Sequence, residues 1–335
     1  MTRIVNGFML IDAPHSALNN AGNDAGERTE NIVRVKKIRK GRSVYPYVSG
    51  QALRYWWRST LAEKYNWNLS PISREKKIAF TSANPVEYDD DDIFGYMRAL
   101  KKADGGTVSR SSVLKNSPLV SVVGQTPTSD FGVMARQKEG DPVPYEHEFY
   151  SAVLKGIFSL DLDNVGVIYR SEKGGYQNMY PKLEEIAAEK GAIEDEGKWI
   201  MPEEVRVKRA TETINVLPYL SGGAKQAAHL TDVAPKLLIL AVIDGGNHLF
   251  MNIAKEDGGE PTINMDALYD VISDYSELLI SDIYIGRRKG FMDESEEDFQ
   301  KLVEDHGKND KKVIYGSINE IVESFVKIVP EMMIQ

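Results

Sequence analysis

The stretch YPYVSGQALRYWWRSTL, residues 45–61, decides the fold. Ser49 is a strong N-cap residue, because its hydroxyl can satisfy an orphan N–H of the first helical turn. From Ser49 to Tyr65 the pattern is helical. Leu53, Trp57 and Leu61 fall at i, i+4 and i+8 and form one apolar stripe. Trp56 and Trp57 therefore read as core rather than as a base-stacking platform. Arg54 and Arg58 lie four residues apart on a neighbouring face, where both reach one line of phosphates.

Working outward, RIVNGFMLID (residues 3–12) reads as a strand with a central glycine. A long Asn/Gly/Ala-rich loop follows to residue 31, and loops of that length inside a domain usually carry function. IVRVKKIRKG (32–41) reads as a second strand, with Val33, Val35 and Ile38 alternating with Arg34, Lys36 and Lys37. Residues 66–110 lose regularity and read as an insertion, with a short helix near IFGYMRALKK. The four acids Asp89–Asp92 within it read as a solvated loop. Strand-like segments return at 111–123 and 149–162. The Pro- and Gly-bearing stretch between them, about 124–150, reads as an exposed hairpin. Helices are expected near 179–190 and 202–219, and SGGAKQAAHLTD (221–232) is a glycine loop. KLLILAVIDGG (236–246) is an apolar strand, expected to pair with HLFMNIA (248–254) across a Gly-Gly-Asn turn. The C-terminal third alternates helix from about 264, strand SDIYIG, helix in the 290s and a last helix at 317–328. The element order fits an α+β domain on a ferredoxin-like antiparallel sheet with a large mid-chain insertion.

With 335 residues, 42% of them apolar, the chain builds a substantial core. There is no cysteine, which excludes disulfides, thiol nucleophiles and Cys-ligated metals. No apolar run has bilayer-spanning length, and the N-terminal residues lack a signal-peptide pattern, so a cytoplasmic protein is expected. The net charge of −9 argues against nucleic acid until its distribution is read. Arg28 to Arg58 hold nine basic residues and one acid, a balance of +8, which leaves −17 for the rest. That segregation suits a basic groove on an acidic, self-repelling body.

Residues 45–61 resemble the signature of the RAMP superfamily of CRISPR-associated proteins, in which a strand ends in a small-residue turn and opens a helix bearing a Leu-basic pair and a later Arg. Here these are Val48-Ser49-Gly50-Gln51-Ala52-Leu53-Arg54 and Arg58. GFMLIDAPHSALNNAGND followed by the basic strand is similar to the Cas-seven family in its DevR-type branch, and LKNSPLVSVVG, FGVMAR and SGGAKQAAHLTD follow in that family's order. The resemblance implies a modified RNA-recognition-motif (ferredoxin-like) palm over residues 1–335, with a finger-like insertion at 66–110 and a thumb-like hairpin at about 124–150. It implies a non-catalytic backbone subunit of a type I, I-B-like, Cascade complex. The partners would be CRISPR RNA, other copies of the chain arranged head-to-tail, other Cascade subunits, and target DNA through base pairing. No cofactor or metal is implied.

A subunit that accepts any guide sequence needs backbone contacts and wedging groups rather than base-edge readers. Arg34, Lys36, Lys37, Arg39, Lys40 and Arg42 supply charge, and Arg54 and Arg58 extend it along the helix. The competing reading pairs those two arginines with internal acids. Ser49 and Gln51 frame a helix N-terminus fit for one phosphate. Gly222, Gly223, Lys225 and Gln226 read either as a second phosphate-hugging loop or as a plain helix-to-strand turn. Met134 is the candidate wedge, with Arg136 and Lys138 beside it for phosphates. The five histidines show no metal-ligand spacing. In type III relatives an Asp in the loop after the first strand supports metal-dependent cleavage of target RNA. Asp24 occupies the comparable loop, so an endoribonuclease is the alternative. A regulator that binds its own operon is the third reading, weakened because no helix-turn-helix is visible.

Overall fold

The computed structural model describes residues 2–22, 32–75, 78–99, 106–134, 142–171 and 177–334. Its centre is strand β1, Arg3–Ser16, which is buried on both faces along most of its length. Val5, Met9 and Ile11 face one apolar cluster, and Ile4, Phe8 and Leu10 face another. Five further elements complete the frame: α1 (Gly50–Tyr65), β2 (Leu119–Ser121), β3 (Val143–Asp161), α2 (Glu203–Asn215) and β4 (Leu237–Asp244). β1 lies between β3 and β4, antiparallel to both, and β2 pairs with β3. The order β4-β1-β3-β2, with α1 following β1 and α2 following β3, is the ferredoxin-like arrangement expected from the element order.

Helix α1 begins as its cap predicts, with Ser49 Oγ accepting from Ala52 N at 3.3 Å. Leu53, Trp57 and Leu61 are fully buried and Trp56 nearly so, whereas Tyr55 is exposed. Trp57 Nε1 donates to Thr213 O on α2 at 2.9 Å. Its ring meets Phe158 of β3 edge-on, with centroids 5.1 Å apart. Phe158 in turn fills the space above Gly7, where a Cβ would lie 2.1 Å from the ring. The central glycine of β1 thus admits an aromatic that ties sheet to helix.

The sheet is mixed rather than antiparallel throughout. Beyond β4 lie β5 (Ile283–Arg287), antiparallel to it, and β6 (Val313–Gly316), parallel to β5. Helix Glu296–His306 connects β5 to β6, and such a crossover returns the chain in the same direction. Ile32–Val35 also pairs in parallel with β3. The last helix, α3 (Ile318–Ile334), packs its Phe325 edge-on against Tyr284 of β5. No helix among the described residues is long and apolar enough to cross a membrane.

Three expectations are corrected. HLFMNIA forms turns, not a strand, because both edges of β4 are taken by β1 and β5. Asn6 on β1 clamps that turn, donating to Asn247 O at 2.6 Å and accepting from Leu249 N. The segment after Phe94 is not helical: Gly95, at φ +69°, ends the preceding helix, and Tyr96–Ala99 pairs with Thr107–Arg110. Most consequentially, the acidic run is no solvated loop. Asp89–Phe94 is a short helix in which Asp90, Asp91 and Asp92 are buried. Asp92 receives Arg110 and Arg209, so its charge is met by guanidiniums from distant parts of the chain. Ile93 and Phe94 join the main core, and Val86 shares a smaller cluster with Ile168, Leu183 and Met201.

Candidate nucleic-acid interface

Leu18 and Asn19, just past the end of β1, knit three of the predicted site segments together. Asn19 O accepts from Lys36 N at 3.0 Å, and Asn19 Oδ1 accepts from Ser49 N at 3.0 Å. Leu18 O accepts from Ala224 N at 3.0 Å. The basic strand, the start of α1 and the glycine loop therefore meet at one edge of the sheet. Gly222 and Gly223 are required there, because a Cβ on Gly222 would sit 2.4 Å from Trp56 and one on Gly223 2.6 Å from Leu18. Gln226 turns inward, its Nε2 donating to Gly222 O and, at 3.2 Å, to Thr231 O, so its amide braces the loop. Lys225, in the left-handed region at φ +58°, precedes the short turn of helix that follows.

The basic segment folds as a hairpin, Lys37–Lys40 against Ser43–Val48, turning at Gly41. Lys37 through Arg42 are exposed, which places Arg39, Lys40 and Arg42 in solvent. Two predicted cations are paired with buried acids. Arg34 Nη1 donates to Glu146 at 3.0 Å and Glu148 at 3.2 Å, and Lys37 Nζ lies 2.7 Å from Glu148. Glu146 and Glu148 are themselves buried on β3, so they offset those charges at the base of the hairpin.

Arg54 and Arg58 line an open cleft of about 590 Å³ together with Gln51, Lys115 and Asn116. Arg54 is bound to internal acceptors: Leu114 O at 2.7 Å, Ser112 Oγ at 2.9 Å, Asn116 Oδ1 at 3.3 Å and Phe94 O. These are carbonyl, hydroxyl and amide oxygens, not the acids expected of an internal role. Burial, reinforced by neighbouring Arg58, lowers the Arg54 pKa to about 10. Arg58 stands over the Phe94 ring at 4.8 Å, with Nε 3.5 Å from Asp90 Oδ2. Burial pushes the Asp90 carboxyl up to about 6 despite its bond from Ser70 N and the nearby guanidinium. Exposed Lys115 on this cleft escaped the sequence reading, since one lysine on a three-residue strand carries no local signal.

The excursion at 124–150 contains a two-stranded ladder, Thr128–Met134 paired with the first part of β3 from Phe149 to Val143. Phe131, Val133 and Met134 are exposed on it, 73%, 59% and 59% respectively, which concentrates apolar surface along one strand of the ladder. Arg136, Lys138 and Asp24 lie outside the described residues.

The model of the family described as "CRISPR-associated negative auto-regulator DevR/Csa2" matches residues 13–257. No curated protein matches. Solved chains share the fold, two of which follow. One comes from a "CRISPR RNA-guided surveillance complex, pre-nicking", with a TM-score of 0.55 at 12% identity, covering 97% of this chain and 100% of that one. The other comes from a "CRISPR RNA-guided surveillance complex", with a TM-score of 0.54 at 12% identity, covering 97% and 98%. The family match spans the basic hairpin, α1, the 124–150 excursion and the glycine loop, and on that ground this chain belongs to the CRISPR-associated DevR/Csa2 family.

Proposed function

We propose that this chain is a non-catalytic backbone subunit of a type I CRISPR surveillance complex, polymerising head-to-tail along a guide RNA that it holds for pairing with target DNA. The observation that carries the reading is the exposed basic hairpin, Lys37–Arg42, whose returning strand leads into α1, in a member of this family. Exposed cations on a hairpin meet phosphates without reading bases, as a subunit indifferent to guide sequence requires. The 124–150 excursion would be the thumb that reaches the next copy, with Met134 as its wedge. The acidic remainder of the chain would keep free protomers apart until RNA neutralises the basic edge.

Electrophoretic mobility on unrelated single-stranded RNAs of increasing length tests this. Stepwise shifts that grow in number with length, and weaken with salt, are expected. Replacing Arg39, Lys40 and Arg42 together by Gln should lower the slope of log K against log salt by about 2, at roughly 0.7 per phosphate on a single strand. One sequence-selective shift, or no binding, would reject the reading.

A further inference from the structure

On one face of β3, Tyr145, His147 and Phe149 recur at every second residue, so their rings rise from the same side at intervals of about 6.6–6.8 Å. The alternate residues Glu146, Glu148 and Tyr150 are buried. Tyr145 stacks on His147, with centroids 4.6 Å apart and planes 29° apart. Gly132 on the paired strand permits this, because a Cβ there would lie 2.2 Å from Tyr145 Cζ; the ring lies down over the neighbouring strand. The glycine loop continues the row. His229 is 6.0 Å from Phe149 and 6.3 Å from His15, in both cases with ring planes tilted by less than 40°. Phe149 packs against the main core from its edge, but four of these rings are only partly covered and His15 is exposed, so the row reaches the surface. Burial, and then Lys225, hold His147 below its usual pKa, which leaves a neutral ring at pH 7.

We infer that this row is a stacking platform for unpaired bases of a single-stranded nucleic acid. Flat, closely spaced rings accept any base, since every base offers a π-face. A cation flanks the row, Lys225 beside His147. This site rests on the RNA-binding reading but makes a separate demand, that bases as well as phosphates contribute.

The experiment uses the full chain, a uridine-rich RNA, the same RNA with abasic positions, and the matching DNA in intact and abasic forms. The wild-type protein is expected to bind intact RNA at least about 10-fold more tightly than abasic RNA. Tyr145→Leu/His147→Leu should lose that preference while keeping its affinity for abasic RNA, with the thermal transition checking that the variant folds. Because the abasic comparison uses the wild-type chain, it decides even if the variant does not fold. Equal binding of intact and abasic RNA overturns the platform and leaves the RNA-binding reading standing. No binding of either overturns both. DNA bound with the same intact-over-abasic preference supports a platform for either strand chemistry, and DNA bound without it restricts the platform to RNA.

Discussion

Removing one negative charge from the buried Asp92 centre should be among the most damaging single changes in the chain. Asp92 is fully buried and accepts from Arg209 Nη1 at 2.9 Å, Gly166 N at 2.9 Å and Arg110 Nη2. Arg209 also donates to Asp89 Oδ1 at 2.7 Å, Pro85 O at 2.9 Å and Val86 O at 3.2 Å. Arg110 also donates to Val167 O and Asn164 O, both at 2.9 Å. Two buried guanidiniums are thus matched by two carboxylates, Asp89 and Asp92. Asp92→Asn keeps the shape, leaves one carboxylate for two cations, and turns an N–H₂ toward existing donors. Breaking a buried pair from one side costs about 3–5 kcal/mol. That is at least about a fifth of a typical stability of about 5–15 kcal/mol. In urea, with m near ~3 kcal/mol/M, the midpoint should fall by about 1 M or more. An Asp195→Asn control, which breaks an exposed i,i+3 pair with Lys198, should move stability by less than about 1 kcal/mol. If Asp92→Asn melts as close to the parent as this control does, the buried network is not a principal prop of the fold.

Asp90 carries a pH signature. Its folded-state value of about 6, against the usual 3.8, means the folded chain keeps a proton that the unfolded chain releases. Stability should therefore fall as pH rises from about 4 to 6, by up to roughly 3 kcal/mol, and Asp90→Asn should flatten that decline in urea titrations across the window. Gly7→Ala drives a Cβ into the Phe158 ring and should cost about 1–3 kcal/mol by thermal unfolding; an unchanged transition would mean the Trp57–Phe158 contact is loose. Arg54→Ala strips the partners from Leu114 O and Phe94 O and should cost about 1–3 kcal/mol. Arg54→Lys should recover only part of it, because one ammonium cannot reach both carbonyls as the guanidinium fork does; full rescue would show that charge alone matters there.

The sequence by itself determined the features governed by neighbours a few residues apart. Ser49 and the Leu53–Trp57–Leu61 stripe define α1, alternation defines the strands, and their order leads to the ferredoxin-like frame. Long-range pairing is a different matter. Four consecutive acids look solvated until Arg110 and Arg209, 18 and 117 residues from Asp92, are folded onto them. Arg34 and Lys37 read as groove cations until Glu146 and Glu148 come to lie behind them. HLFMNIA has a strand's composition but finds both edges of β4 occupied. The aromatic row needs residues 15, 145–149 and 229 on one surface, and nothing local in any of the three segments announces the others. Periodicity is a property of the backbone's own repeat and survives in the linear string. Charge compensation, edge occupancy and ring juxtaposition depend on which segments meet, and only tertiary structure decides that.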